Sequence, residues 1–137
     1  MIEFVDEIIN RDKLIDSVKS DRAGAIVTFA GTVRSFDETS SNIKALYYDA
    51  YKEMAESIIN DIINEAESKF GIIKVSVSQR LGYIPVGEDS IFIAVSAAHR
   101  ESAFLACKYI IDKIKVVPPI WKKEIYEDSE LWKSDFK

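Results

Sequence analysis

Residues 90–96 constrain the fold more than any other part of this sequence. They read Ser-Ile-Phe-Ile-Ala-Val-Ser, so an extended chain here presents apolar side chains on both faces. Such a strand has to be covered on both sides, which happens in the middle of a sheet. The stretch therefore predicts a central strand in a sheet on which helices pack.

Apolar residues at helical spacing predict three helices, at residues 10–19, 51–70 and 99–115. The second is the clearest, and Gly71 suits its end because glycine readily adopts the left-handed conformation found there. Pro118 ends the third, because a proline disfavours helical geometry in the residue before it. The predicted buried positions of the second helix are Tyr51, Met54, Ala55, Ile58, Ile59, Ile62, Ile63, Ala66 and Phe70. Those of the third helix are Ala103, Cys107, Ile110, Ile111 and Ile114.

Six stretches are predicted to be strands, at residues 2–6, 25–34, 43–50, 73–79, 90–96 and 120–126. The β-branched and aromatic content of residues 25–34 favours a largely buried strand. Residues 73–79 alternate apolar and polar side chains, which predicts a half-buried strand that continues through residues 79–82 toward a turn at 86–89. Residues 35–42 form the most polar stretch and predict an exposed, mobile loop.

The predicted order β-α-β-β-α-β-β-α-β describes an α+β fold, with about three helices packed on a mixed or antiparallel sheet. The chain has 137 residues and fits a single domain spanning residues 1–137. Several predicted strands are apolar on both faces, and three helices cannot cover all of them. We therefore expect the chain to form a two-fold homodimer.

Composition excludes several classes of protein. The net charge of −5 argues against a general nucleic-acid binder. No apolar run reaches the roughly 18 residues of a membrane span, and the acidic N-terminus is unlike a signal peptide, so we expect a cytoplasmic protein. One cysteine, Cys107, and one histidine, His99, cannot form an intrachain disulfide or anchor a zinc site alone, and no metal site is predicted. Cys107 is expected to be a small buried hydrophobic residue.

Charge is distributed unevenly along the chain. Between residues 100 and 123, six basic residues stand against two acidic ones, although the whole chain is acidic. A local basic region on an acidic protein indicates a small anionic ligand or an acidic partner tail.

Two short segments could bind an anion. Gly31, Thr32, Val33 and Arg34 precede the polar loop, and Arg34 offers a planar fork of donors to a phosphate or carboxylate. His99 and Arg100 lie where a strand passes into a helix, beside free N–H groups and the positive end of the helix dipole. The alternatives are a solvated arginine at a strand end, and a capping histidine followed by a surface charge. We expect Arg34, His99 and Arg100 to converge on one anion site, drawn from one chain or from both protomers of the dimer.

Lys115 and Lys122 form the third candidate. The first closes a helix and the second opens a strand, with two prolines between them, so both amines can face one cavity. Clustered lysines of this kind can perform acid–base or nucleophilic chemistry. The alternatives are a lysine that complements the helix dipole and an exposed edge at residues 122–123. The residues alone thus indicate a metal-free domain with an anion pocket built from arginine, histidine and lysine.

Five segments carry a resemblance to a known family. They are residues 24–34, 48–54, 79–82 (Gln-Arg-Leu-Gly), 95–100 (Val-Ser-Ala-Ala-His-Arg) and 119–124 (Pro-Ile-Trp-Lys-Lys-Glu). On these segments, which span nearly the whole chain, the sequence resembles the MoaE family, the large, catalytic subunits of molybdopterin synthase. The combination of the last two segments is specific to that family.

The resemblance implies a sulfurtransferase with an α/β-hammerhead-like fold. Its substrate is cyclic pyranopterin monophosphate, which becomes the dithiolene molybdopterin in molybdenum cofactor biosynthesis, and no resident cofactor is implied. The sulfur arrives as a thiocarboxylate on the C-terminal Gly-Gly of a small ubiquitin-like partner subunit. The implied assembly is a heterotetramer, in which a dimer of large subunits carries one small subunit at each end.

The resemblance also implies roles for residues by position. Lys115 corresponds to the principal catalytic lysine and Lys122 to the second. Thr32 stands where the family has a lysine, which weakens a charge role there, and Gln79 stands where it often has a histidine, which excludes a catalytic histidine. The implied substrate-binding residues are Thr32, Val33, Arg34, His99, Arg100, Lys115, Lys122, Lys123 and Glu124.

Two other functions remain open from the sequence. A non-enzymatic adaptor would only dock the tail of a ubiquitin-like protein. A small enzyme acting on another phosphorylated metabolite would need no protein partner. A phosphate site beside Lys115 would favour an enzyme over an adaptor.

Overall fold

The computed structural model describes residues 1–36 and 42–126, together with the backbone of residues 130–133. Within this part the chain forms three helices and eight strands. In chain order they are β1 (Ile2–Val5), α1 (Arg11–Ser17), β2 (Ala25–Thr32), β3 (Ala45–Ala50), α2 (Lys52–Phe70), β4 (Lys74–Arg80), β5 (Gly82–Pro85), β6 (Asp89–Ala97), α3 (Arg100–Ile114), β7 (Ile120–Ile125) and β8 (Glu130–Lys133). The three predicted helices and six predicted strands are all present, whereas β5 and β8 are additional.

The strands form two sheets rather than one. The first, in the order β1-β4-β6-β2, is mixed, because β1 runs parallel to β4 and the other pairs are antiparallel. The second, β5-β3-β7-β8, is antiparallel throughout. The α+β fold is confirmed. The predicted continuation of β4 holds for Gln79 and Arg80, but the strand ends at Arg80 rather than at residue 82. Gly82 has a φ of +85°, which favours glycine, and here the chain leaves the first sheet for the second.

Strand β6 is the buried centre of the first sheet, as predicted. Ile91, Ile93 and Val95 belong to the core cluster formed with α2 and α3, while Phe92 and Ala94 pack with α1. Each fully buried side chain of this size contributes about 1.5–3 kcal/mol to stability. Both faces of β6 are therefore covered within one chain. For this strand the reason given for expecting a dimer does not hold, and the dimer itself stays a prediction.

The burial of β2 and β4 differs from the prediction because it depends on the position of each strand in the sheet. Strand β2 lies at an edge of the first sheet and is partly exposed rather than largely buried. Strand β4 lies between β1 and β6 and is buried on both faces rather than one. Its buried hydroxyls have partners: Ser76 Oγ lies 2.5 Å from Ser17 Oγ, and Ser78 Oγ donates to Glu3 Oε2 at 2.9 Å.

Helix α2 buries most of its predicted face. The buried positions are Ala55, Ile59, Ile62, Ile63 and Ala66. Tyr51 and Met54, predicted to be buried, are 65% and 58% exposed. Tyr51 precedes the first residue of the helix and packs edge-on against Trp121, with the ring centroids 5.1 Å apart. Gly71 ends the helix with a φ of +64°, as predicted.

Helix α3 buries all the positions predicted for it. The predicted loop at residues 35–42 falls largely on residues 37–41, which lie outside the described residues, and residues 35, 36 and 42 are exposed. Among the described residues, no helix combines the length and hydropathy that crossing a bilayer requires.

Candidate functional site

A small cavity lies where the end of β2 meets the second sheet and the C-terminus of α3. Its volume is about 200 Å³, and among the described residues three cationic side chains line it, those of Arg34, Lys115 and Lys122. Two larger surface depressions, of about 440 and 480 Å³, each contain no more than one cationic side chain among the described residues. The smaller cavity is therefore the candidate site. Its lining residues are Gly31, Thr32, Arg34, Phe36, Ile43, Leu46, Tyr48, Ser90, Lys115, Lys122 and Glu124.

Two elements bring the lysines to this cavity. Lys115 is the C-cap of α3, and its N–H donates to the carbonyl of Ile111 at 3.1 Å. The chain then turns through two prolines, and the N–H of Ile120 donates to the carbonyl of Pro118 at 2.8 Å. Lys122 follows in β7, where its partner on β3 is Tyr48. The structure thus brings both lysines to one cavity, while their catalytic roles stay predictions.

Successive side chains of β7 point to opposite faces of the sheet, so its polar residues are divided between two faces. Lys122 and Glu124 line the cavity, whereas the ammonium of Lys123 lies 5.3 Å from the centre of the Tyr47 ring. Glu124 is 2% exposed, and the hydroxyl of Tyr126 donates to its Oε1 at 2.5 Å. The cavity therefore holds a buried carboxylate together with its cations, and Lys123 belongs to another face of the strand.

The side chains at the end of β2 and just after it point partly into the cavity and partly into the core. The ladder between β2 and β6 shifts register between Gly31 and Thr32 and ends there. Val33 is 2% exposed and its side chain packs in the core, while its neighbours Thr32 and Arg34 line the cavity. Arg34 is exposed, and its guanidinium carbon lies 5.6 Å from the centre of the Phe36 ring. The guanidinium is thus available to an anion that enters the cavity.

His99 and Arg100 do not line this cavity. His99 is the N-cap of α3 and Lys115 is its C-cap, so the two are about 24 Å apart at 1.5 Å per helical residue. Both His99 and Arg100 are exposed. The predicted convergence of Arg34, His99 and Arg100 is therefore wrong within one chain. A site that combines them from two protomers stays a prediction.

Five residues of the cavity wall were not predicted from the sequence. They are Phe36, Ile43, Leu46, Tyr48 and Ser90. Leu46 and Tyr48 are two residues apart on β3, so alternation alone indicates that they share a face. That β3 lies beside β7 is not encoded in this local pattern. Ser90 closes the wall by donating from its hydroxyl to the carbonyl of Gly31 at 3.1 Å.

Gln79 lies outside the wall of the cavity. It is 3% exposed, and its side-chain amide donates to the backbone carbonyls of Arg80 at 2.9 Å and Ser90 at 3.0 Å. These bonds tie the end of β4 to β6, the strand that carries Ser90. Gln79 therefore has a structural role in this chain, joining β4 to β6.

Cys107 is not placed for nucleophilic chemistry. It is 4% exposed on the buried face of α3, and burial raises the pKa of its thiol to about 11. The reactive thiolate is therefore disfavoured at neutral pH, and the prediction of a small buried hydrophobic residue is confirmed. Among the described residues, no group of three metal-ligating side chains occurs.

The chain matches one known family along most of its length. The family model described as MoaE protein matches residues 4–117. The molybdopterin synthase catalytic subunit of Thermoplasma volcanium is 51% identical over 127 residues, which are 93% of this chain and 92% of that protein. The human protein of the same name is 42% identical over 135 residues, which are 98% of this chain and 71% of that protein.

Solved structures agree with the sequence matches. The X-ray crystal structure of molybdopterin synthase from Staphylococcus aureus has a TM-score of 0.90 and 36% identity, and the match covers 96% of both chains. A complex of subunits 1 and 2 of molybdopterin-converting factor from Helicobacter pylori shares the fold, with a TM-score of 0.80 at 20% identity. By sequence over most of its length and by its fold, this chain belongs to the MoaE family.

Proposed function

We propose that this chain is the catalytic subunit of a molybdopterin synthase and acts as a sulfurtransferase. Its substrate is cyclic pyranopterin monophosphate, and the donor is the thiocarboxylate at the C-terminal Gly-Gly of a small ubiquitin-like subunit. The observation that carries the proposal is one cavity that combines Arg34, Lys115 and Lys122 with the buried Glu124. It occurs in a chain whose relatives are named molybdopterin synthase catalytic subunit.

The cations suit a substrate that carries a phosphate. Arg34 is exposed at the cavity, and a guanidinium can hold a phosphate through two parallel hydrogen bonds. Lys122 adds a second positive charge, and Thr32 adds a hydroxyl. We assign the phosphate to these three side chains. His99 and Arg100 join them only if a second protomer supplies them, so their role depends on the proposed homodimer.

The apolar part of the wall suits the tail of the donor subunit. Phe36, Ile43, Leu46 and Tyr48 line the same cavity as the lysines. A Gly-Gly tail carries no side chains, so its backbone can approach this apolar wall closely. The thiocarboxylate at the end of this tail is an anion, and Lys115 is the cation we assign to it.

The chemistry of each transfer needs one proton donor and one group that stabilises negative charge. The thiocarboxylate sulfur forms a C–S bond with a side-chain carbon of the substrate, and a C–O bond at that carbon breaks. Water then cleaves the acyl–sulfur bond, so the tail becomes a carboxylate and the sulfur stays on the substrate as a thiolate. We assign to Lys115 the proton for the departing oxygen and the stabilisation of the oxyanion formed during hydrolysis. Glu124 lies buried on the same face of β7 as Lys122, so its carboxyl oxygens are acceptors available to the cationic donors of the cavity.

A reconstituted reaction tests this proposal. Purified chain, thiocarboxylated small subunit and cyclic pyranopterin monophosphate are combined, and mass spectrometry follows the gain of two sulfur atoms by the pterin. An adaptor would bind the small subunit, measured by calorimetry, and release no sulfur-containing pterin. An enzyme for another phosphorylated metabolite would leave both reactants unchanged. Either of these results would refute the proposed function.

A further inference from the structure

We propose that Arg80 is a positioning residue for Arg34 and acts through Glu88 in the turn between β5 and β6. Arg80 is not among the residues that line the cavity, so it acts through its neighbours rather than on the substrate. The inference rests on the proposed function in one respect, the binding of substrate by Arg34.

Arg80 is held at the end of β4 in a mostly buried position. The residue is 8% exposed, and its Nη1 donates to Glu88 Oε1 at 2.6 Å. Its Nη2 makes a longer contact of 3.4 Å with the carbonyl of Tyr83. The Glu88 side chain is 38% exposed, so the ion pair lies at the boundary of the protein rather than fully in water. A partly buried, charge-assisted bond of this length holds its two partners more firmly than a surface pair does.

Glu88 in turn holds the segment that carries Arg34. The N–H of Val33 donates to the carbonyl of Glu88 at 3.0 Å, and the N–H of Gly87 donates to the carbonyl of Val33 at 2.8 Å. The ladder between β2 and β6 ends at Thr32, so these two bonds replace it for the next residue. Arg34 follows directly, and the position of its backbone therefore depends on the turn that Arg80 anchors.

Loss of the Arg80 guanidinium frees the Glu88 carboxylate to turn into water. The turn then keeps its backbone bonds but loses a side-chain tie to the first sheet. The backbone hydrogen bonds made by the N–H groups of Val33 and Gly87 break more often, and Arg34 occupies a wider range of positions. Substrate binding is weakened more than the chemical step, because Lys115 is anchored separately at the end of α3.

The first arm of the test measures the backbone directly and needs no activity. Amide hydrogen exchange of Val33 and Gly87 is followed by NMR in the wild type and in Arg80→Met, which keeps much of the apolar stem. We expect exchange at both amides to become about tenfold faster, while the amide of Ile93 in the central strand is unchanged. The matched control is Arg11→Met, because Arg11 makes a two-bond ion pair at 2.6 Å with Asp89, the residue after Glu88. In that variant both amides should exchange as in the wild type.

The second arm measures coupling to Arg34 by a double-mutant cycle. In Arg80→Met we expect the KM for cyclic pyranopterin monophosphate to rise about tenfold, with kcat within about threefold of the wild type. An effect of this size is typical of the coupling between residues in one network. In an Arg34→Ala background the same change should have no further effect. Arg80→Lys keeps the positive charge but has a single donor nitrogen in place of the guanidinium fork, so it should restore part of the loss. Glu88→Gln repeats the test from the other partner if Arg80→Met fails to fold.

The outcomes separate this inference from the proposed function. Unchanged exchange at Val33 and Gly87, or additive effects on KM in the double variant, would overturn the positioning role of Arg80. A wild type that makes no molybdopterin overturns the proposed function, and the exchange arm then still decides whether Arg80 orders the turn.

Discussion

Replacement of Lys115 by alanine is the most informative perturbation of the cavity. A group that transfers a proton contributes about 100- to 10,000-fold to a rate, which corresponds to about 2.7–5.4 kcal/mol of barrier. The structural cost of the change is small by comparison. Lys115 is the C-cap of α3, and the bond from its N–H to the carbonyl of Ile111 belongs to the backbone and survives. The fold also loses the interaction of the ammonium with the helix dipole, about 0.3–1 kcal/mol.

Three further variants separate the roles of charge, proton transfer and position. Lys115→Arg keeps the positive charge but cannot release a proton, so it should remain impaired if proton transfer matters. Lys122→Ala should lose less activity than Lys115→Ala if its role is to hold the phosphate or the tail. Lys123→Ala is the matched control, because Lys123 lies on the same strand with its ammonium near the Tyr47 ring instead of in the cavity.

The assay is single-turnover formation of sulfur-containing pterin, with small-subunit binding measured in parallel by calorimetry. Lys115→Ala should bind the small subunit nearly as the wild type does, because docking depends on a much larger surface than the end of the tail. The same variant should lose at least 100-fold in rate. Full activity in Lys115→Ala would refute the catalytic assignment. Full activity in Lys115→Arg would show that position 115 contributes charge alone.

Three other predictions test the packing and electrostatics of the fold. Gly24→Ala should lower the free energy of unfolding by about 1–3 kcal/mol, because a Cβ would lie 2.4 Å from the backbone carbonyl oxygen of Ala98. Urea unfolding measures this loss, and an unchanged midpoint would contradict it. Burial raises the pKa of Glu3, but the hydrogen bonds from Lys13 and Ser78 and the charge of Lys13 together outweigh burial. The net pKa of Glu3 is therefore below the ordinary 4.5. Its ionised form therefore stabilises the fold above pH 4.5, and the difference in Tm between wild type and Glu3→Gln should shrink as the pH falls below that value; a constant difference would count against it. Cys107, with its pKa raised to about 11, should resist iodoacetamide at pH 7 until the chain unfolds, as read by mass spectrometry, and rapid native labelling would disprove its burial.

Local patterns in the sequence determined most of the secondary structure and part of the site. The apolar run at residues 90–96 became the buried central strand. The period of the second helix predicted its buried face correctly except at the start of the helix. Spacing around two prolines was sufficient to bring Lys115 and Lys122 to one cavity, because a short turn leaves the chain few paths between a helix end and a strand. These features depend on residues close together in the chain, and the sequence encodes such contacts directly.

Only the tertiary structure decided which elements lie side by side. The alternation in β4 shows which of its faces is apolar, but burial of the other face comes from its place between β1 and β6. In the same way, nothing local indicates that the chain changes sheets at Gly82 or that β3 pairs with β7 to add Tyr48 to the cavity. His99 and Lys115 both belong to α3, yet the length of that helix keeps them at opposite ends. A residue pattern specifies the face that must be covered, whereas packing of the whole chain specifies what covers it.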